Sequence, residues 1–329
     1  MLSEFGLIRR YFDRASRADR ASRAVAAPGV VLGIGDDCAL LRTGADMDLA
    51  VSTDMLVEGR HFSAGTDPFL LGHKCLAVNL SDMAAMGAAP RWATLALALP
   101  AADEAWLEQF SAGFFSLADR FEVVLIGGDT TRGPLNVSVT IMGEVPADLA
   151  LYRAGAVPGD DIWVSGELGG AALGLAHRFG RVSLAEADAA AMRARLDAPE
   201  PRVALGERLR GLATSAIDVS DGLAGDLAHV LDRSSAGALV HYAAIPRPAA
   251  FARLADADLE RNCVLSGGDD YELVFTAPQA RRAEIEALGP DLGVALTRIG
   301  FVQKGEPKVT LLDASGLPMA PAAGFDHFR

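Results

Sequence analysis

The chain has 329 residues, 50% hydrophobic and 22% charged, a globular composition that excludes intrinsic disorder and exceeds what one core usually holds. Its 30 Lys and Arg against 43 Asp and Glu leave a net charge of −13, which excludes binding to nucleic acid through surplus basic residues. Three cysteines, Cys38, Cys75 and Cys263, lie far apart, fit no zinc spacing and cannot all pair, so a reducing compartment and a cytoplasmic location are expected.

In chain order, Leu2, Phe5, Ile8 and Phe12 recur at helical spacing. They predict an amphipathic helix rather than a targeting segment, despite the arginines from Arg9 to Arg23. Apolar or alternating runs at 30–32, 49–52, 92–99, 123–126 and 135–142 predict strands. Residues 68–86 and 103–120 predict helices, the second with Trp106, Phe110, Phe114 and Leu117 on one face. The runs at 92–99 and 135–142 are apolar enough to be buried on both faces. The most apolar stretch, 84–99, is broken by Gly87, Pro90 and Arg91, so no membrane span is expected. Turn residues at 155–160 mark a junction and give two expected domains, 1–148 and 149–329. The second half predicts strands at 162–165, 215–219, 239–242, 272–275 and 293–301, and helices at 171–179, 184–196, 203–212 and 223–231. The expected class is α/β with mixed sheets. Val123-Val-Leu-Ile-Gly-Gly-Asp129 is echoed by Cys263-Val-Leu-Ser-Gly-Gly-Asp269, which points to two related halves, each delivering an acid from a strand end.

Acids recur directly after apolar segments, in Gly33-Ile-Gly-Asp-Asp37, Ser52-Thr-Asp54, Asn79-Leu-Ser-Asp82, Gly127-Gly-Asp129, Asp218-Val-Ser-Asp-Gly222 and Ser266-Gly-Gly-Asp-Asp270. Each alone is ordinarily a turn or a helix cap. Asp218 to Asp221 could cap the helix that follows, Asp36 and Asp37 could form a turn before a strand at 39–41, and Asp269 and Asp270 could cap a turn before 272–275. Asp82 is different, because 77–86 is otherwise uncharged and an acid there needs a partner or a cation. Carboxylates gathered at one rim repel one another unless cations neutralise them. Hard oxygen ligands favour Mg²⁺ together with substrate phosphates, and adjacent glycines let backbone N–H groups approach those phosphates. A site with several Mg²⁺ ions and phosphates is therefore expected.

Other chemistries lack their motifs. There is no Gly-x-x-x-x-Gly-Lys loop, protein-kinase set, complete dinucleotide fingerprint or Gly-x-Ser-x-Gly elbow. The histidines show no zinc-protease spacing, although His61 follows Ser52–Asp54 closely enough to reach the same rim. Gly166-Glu-Leu-Gly-Gly170 reads as a tight strand–helix turn before it reads as a phosphate loop.

Taken in order, Gly-Ile-Gly-Asp-Asp-Cys-Ala, Ser-Thr-Asp, Asn-Leu-Ser-Asp-Met-Ala-Ala-Met-Gly, Ile-Gly-Gly-Asp-Thr-Thr, Ile-Asp-Val-Ser-Asp-Gly-Leu, Gly-Gly-Asp-Asp-Tyr-Glu-Leu and the terminal Gly-Phe-Asp-His-Phe closely resemble the thiamine-monophosphate kinase family, from about Phe5 to Phe328. The resemblance implies the two-domain fold shared with aminoimidazole ribonucleotide synthetase and selenophosphate synthetase, a homodimer, and ATP bound between the domains. The implied activity is transfer of the ATP γ-phosphoryl group to thiamine monophosphate, giving thiamine diphosphate. It implies Mg²⁺ ligands at Asp37, Ser52, Thr53, Asp54, Asp82, Asp129 and Asp218, with Asp221 on a further ion. ATP contacts are implied for Gly128, Asp129, Arg153 and Ser220, and thiamine-end contacts for His61, Asp269 and Phe325. No catalytic residue distinct from the metal carboxylates is implied. The chain departs from the family at Asp269, where Glu is usual. The alternatives are another ATP-dependent enzyme of the same fold, acting on a different nucleophile, and a non-catalytic acidic metal-binding module.

Overall fold

The computed structural model describes residues 8–13, 29–32 and 39–320. The chain divides into two compact units, Met1–Met83 with Ala89–Asp148, and Ala84–Ala88 with Leu149–Arg329. Of the expected N-terminal helix, only Ile8–Phe12 is described, as one π-helical turn.

The N-terminal unit is built on four strands, β3 (Met47–Val57), β4 (Ala89–Leu99), β5 (Val124–Arg132) and β6 (Asn136–Pro146), ordered β3-β6-β4-β5. A small ribbon of β1 (Val30–Leu32) and β2 (Leu40–Leu41) accompanies them. β4 and β5 run parallel and the other pairs are antiparallel. Helices α1 (Pro68–Ala85) and α2 (Glu104–Arg120) supply Leu71, Leu76, Leu80, Phe110, Phe114 and Leu117 to the core. Asp103 starts α2 by accepting the amides of Ala105 at 3.0 Å and Trp106 at 3.2 Å.

The runs at 92–99 and 135–142 were expected to be buried on both faces, and within the single chain they are fully buried on one face only. β6 alternates buried and half-buried residues along its whole length, and Ala96 in the middle of β4 is exposed. One face packs as core and the other stays open, with Leu49, Val51 and Met55 of β3 exposed on it at 46%, 57% and 55%.

The C-terminal unit is a six-stranded sheet ordered β12-β9-β11-β7-β10-β8. These strands are β7 (Asp161–Ser165), β8 (Ser215–Asp218), β9 (Gly237–His241), β10 (Leu273–Ala277), β11 (Leu296–Gln303) and β12 (Val309–Leu312). Helices α3 (Gly170–Arg178), α4 (Glu186–Asp197), α5 (Val203–Leu209), α6 (Leu223–Ser234), α7 (Ala250–Leu254), α8 (Ala257–Ser266) and α9 (Arg282–Leu292) connect them. A contiguous core of Leu173, Ile217, Leu227, Val230, Phe251, Val264 and Val274 fills this unit.

The two Gly-Gly-Asp segments are not equivalent. Val124–Arg132 is a strand that carries Gly127, Gly128 and Asp129 in its interior, whereas Cys263–Ser266 is the last turn of α8, begun by Asp256 accepting the Leu259 amide at 3.0 Å. A short, mostly apolar run before a glycine pair fits either element, and the cap seven residues upstream of Cys263 decides for helix. Likewise Asp54 lies inside β3, which continues to Val57, rather than after its end.

Candidate active site

In the N-terminal unit the strand period sorts the acidic motifs. Ser52 and Asp54 occupy rows with the core residues Ile141 and Val139 of β6, and both are half-buried. The Ser52 hydroxyl donates to Asp82 Oδ2 on α1, so the one acid in an apolar helix faces this strand. Thr53 lies on the other face, its hydroxyl 2.8 Å from that of Thr140. Asp129 is exposed and pairs in register with Ala96. β3 and β5 are the two edges of the sheet. Asp54 and Asp129 are therefore three strand spacings apart, roughly 14 Å, farther than two aspartates can reach to share one ion. Gly128 precedes Asp129 at φ 146°, and a Cβ there would lie 1.9 Å from the Leu95 carbonyl oxygen, so only glycine lets β5 lie this close to β4. His61 is half-buried beyond β3, its Nδ1 accepting the Val57 amide at 3.0 Å; the neutral ring thus carries its proton on Nε2. Asp37 and Phe325 lie outside the described residues.

In the C-terminal unit the motifs are joined by backbone. The loop after β8 and the Gly267–Tyr271 segment form one ladder, with Asp269 N–H donating to Ser220 O at 2.9 Å, Tyr271 N–H to Val219 O at 2.9 Å and Val219 N–H to Glu272 O at 2.7 Å. Gly268 admits this approach, since a Cβ there would lie 2.3 Å from Ser220 O. Ser220, implied as an ATP contact, and Asp269, implied at the thiamine end, are thus direct neighbours. Asp269 has φ 69°, left-handed backbone that Asp adopts more readily than Glu. Its Oδ1 accepts the Tyr271 hydroxyl at 3.1 Å. Arg153 is exposed, and its carbonyl oxygen accepts the Ser234 hydroxyl at 3.4 Å.

Two further carboxylates support these loops. Asp270 reaches the start of α3, accepting the amides of Gly169 at 2.6 Å and Ala171 at 3.3 Å. The glycine-rich turn before α3 is therefore already occupied by a carboxyl group, supplied by the chain itself. Enclosure of the Asp270 carboxyl pushes its pKa up to about 7, against the pull of those amides. Glu272, buried, accepts Ser165 Oγ at 2.5 Å and the Arg202 guanidinium at 2.7 and 2.5 Å, and so fixes the far end of the segment.

Sequence reasoning missed Asp226. It is buried beside Asp218, and burial together with the Asp218 charge raises its pKa to about 7. The signal was present: Asp226 falls on the core-facing stripe of α6, with Leu223, Leu227 and Val230. Arg202 was also missed, and nothing in its sequence surroundings marks it. Among the described residues, no three His, Cys, Asp or Glu side chains stand close enough to hold one metal ion, and no helix is long and apolar enough to cross a membrane.

Residues 35–145 match the model of the AIR synthase related protein N-terminal domain, and residues 157–311 that of its C-terminal domain. The thiamine-monophosphate kinase of Escherichia coli K12 is 47% identical over 99% of this chain and 98% of its own length. The chain belongs to the thiamine-monophosphate kinase family. Thiamine-monophosphate kinase from Stenotrophomonas maltophilia K279a superimposes with a TM-score of 0.85 at 47% identity, covering 94% of this chain and 96% of that one. A structure of AaThiL complexed with AMPPCP and TMP gives a TM-score of 0.76 at 28% identity over 99% and 97% of the two chains. A thiamine-monophosphate kinase must hold two phosphorylated substrates, and the loops described above are rich in acids and poor in lysine.

Proposed function

We propose that this chain phosphorylates thiamine monophosphate with ATP, by direct in-line transfer assisted by magnesium, in the making of thiamine diphosphate. The observation that carries the reading is near-full-length identity of 47% to thiamine-monophosphate kinases. The acceptor is itself a phosphate, ionised at neutral pH, so it needs no strong general base. The obstacle is repulsion between two anionic substrates.

Asp37, Ser52, Thr53, Asp54, Asp82, Asp129, Asp218 and Asp221 would hold Mg²⁺. These are hard oxygen donors throughout, and the crowding of Asp218 and Asp226 is a local excess of negative charge that suits a cation. When bound, Mg²⁺ screens the phosphates from each other and stabilises the charge spread over the transferred oxygens. Gly128, Asp129, Arg153 and Ser220 serve the nucleotide. His61, with Nε2–H as donor, and Asp269, whose charge attracts the thiazolium cation, serve thiamine monophosphate with Phe325.

A homodimer belongs to this reading. The open face of β3, with Leu49, Val51 and Met55, is an apolar surface at a sheet edge, which a second copy would cover. Pairing two copies along β3 and β5 would also set the strand that carries Asp54 in one copy beside the strand that carries Asp129 in the other.

The test is direct. The purified chain with ATP, Mg²⁺ and thiamine monophosphate should yield equal amounts of thiamine diphosphate and ADP. Turnover with an aminoimidazole precursor instead, or cation binding without affinity for AMPPCP, would replace the reading with one of its alternatives.

A further inference from the structure

The loop from Asp218 to Gly222 enters α6 without a capping side chain, because its N-cap is Gly222. Asp226 takes over that task from inside the helix. Its Oδ2 accepts the Asp221 amide at 3.1 Å. The Asp226 N–H returns to the Gly222 carbonyl at 3.0 Å. A first-turn acid reaching back to an amide before the helix is the geometry of the acidic half of a capping box. On its other side the loop is held by the Asp269 amide on Ser220 O. The Ser220–Asp221 peptide is thus gripped at both its C=O and its N–H, and Asp226, only 3% exposed, makes one of the two grips.

We propose that Asp226 is a positioning residue, which clamps the Ser220–Asp221 peptide so that both side chains are presented to the nucleotide and its counter-ion. This rests on the reading of Ser220 and Asp221 given above. Asp226 acts through the loop and supplies no ligand of its own.

Three variants of the full-length protein separate this role from others. Asp226→Ala leaves the Asp221 amide without this acceptor, Asp226→Asn keeps an acceptor oxygen without the charge, and Asp226→Glu keeps the charge but moves the oxygens. Hydrogen exchange of the Asp221 amide, without ligands, reads the clamp, and KM for ATP reads its consequence. In Asp226→Ala this amide should exchange at least about tenfold faster. KM for ATP should rise about tenfold, and Asp226→Asn should restore both to within about threefold. If Asp226→Ala does not fold, Asp226→Glu decides, because a clamp predicts loss of protection and a role for charge alone predicts retention. Unchanged exchange in Asp226→Ala or Asp226→Glu overturns the proposal. So does an Asp226→Asn protein that keeps its protection yet binds nucleotide as poorly as the alanine variant, which would make Asp226 a direct ligand. Faster exchange with an unchanged KM would leave the clamp standing and remove Ser220 and Asp221 from the nucleotide site.

Discussion

The N-terminal unit mounts its candidate groups on strands, whereas the C-terminal unit mounts them on loops held by other loops. On the strands, Ser52, Thr53, Asp54 and Asp129 are placed by register, and period-two alternation divides them between a packed and an open face. On the loops, Ser220 and Asp269 are placed by a backbone ladder, and Asp226, Asp270 and Glu272 anchor it from below. A sheet fixes its members through many shared bonds, so replacing one side chain leaves the others in place. A loop pinned at a few buried carboxylates is moved as a whole when one pin is lost.

The largest effect is expected on the sheet. Asp54→Asn and Asp129→Asn should each lower kcat by on the order of 10² or more, if each acid contributes about 3 kcal/mol to transition-state stabilisation. Mixing the two inactive proteins sharpens the comparison. If two copies share these acids, random re-pairing should recover about a quarter of wild-type turnover, because half the dimers then contain one intact site. No recovery in verified mixed dimers would mean that each chain uses its own pair. On the loops, Asp269→Ala should raise KM for thiamine monophosphate about tenfold and leave KM for ATP nearly unchanged, since only the thiazolium carries a permanent cation for it to attract. A parallel rise in both would make the residue structural. Asp269→Glu should keep activity but lose up to about 1 kcal/mol of stability, because left-handed backbone favours the shorter acid.

Dimerisation comes next. Val51→Lys with Met55→Lys should shift sedimentation towards the monomer at micromolar concentration, while circular dichroism stays native. A dimer that survives both changes would move the interface off this face. The smallest effect concerns Asp270, which faces Glu272, Arg195 and Cys263. With its pKa raised to about 7 from an ordinary 3.8, the folded chain keeps a proton that the unfolded chain releases. Its contribution is complete below the unfolded value and fades as pH rises towards 7. The melting temperature of Asp270→Asn, relative to wild type, should therefore climb from pH 4.5 to pH 7.5. A difference that stays flat across that range would show that Asp270 is ionised throughout.

Much of this protein was determined by its sequence alone. Asp103 before an apolar stripe dictated α2, and the helix at 68–86 with a single acid at Asp82 held to within a residue. The order of six weak acidic motifs was enough to indicate the family, because their joint spacing constrains far more than any one of them. Tertiary structure decided where those acids face. A strand interior and a strand end read alike in sequence, so the sheet had to place Asp54 and Asp129 on opposite edges. It also decided which acids support rather than serve. Asp270 at the start of α3 and Asp226 under Ser220 take their roles from amides that are distant in sequence or reached only by folding back. A carboxylate's chemistry depends on what surrounds it, and only the folded chain brings those surroundings together.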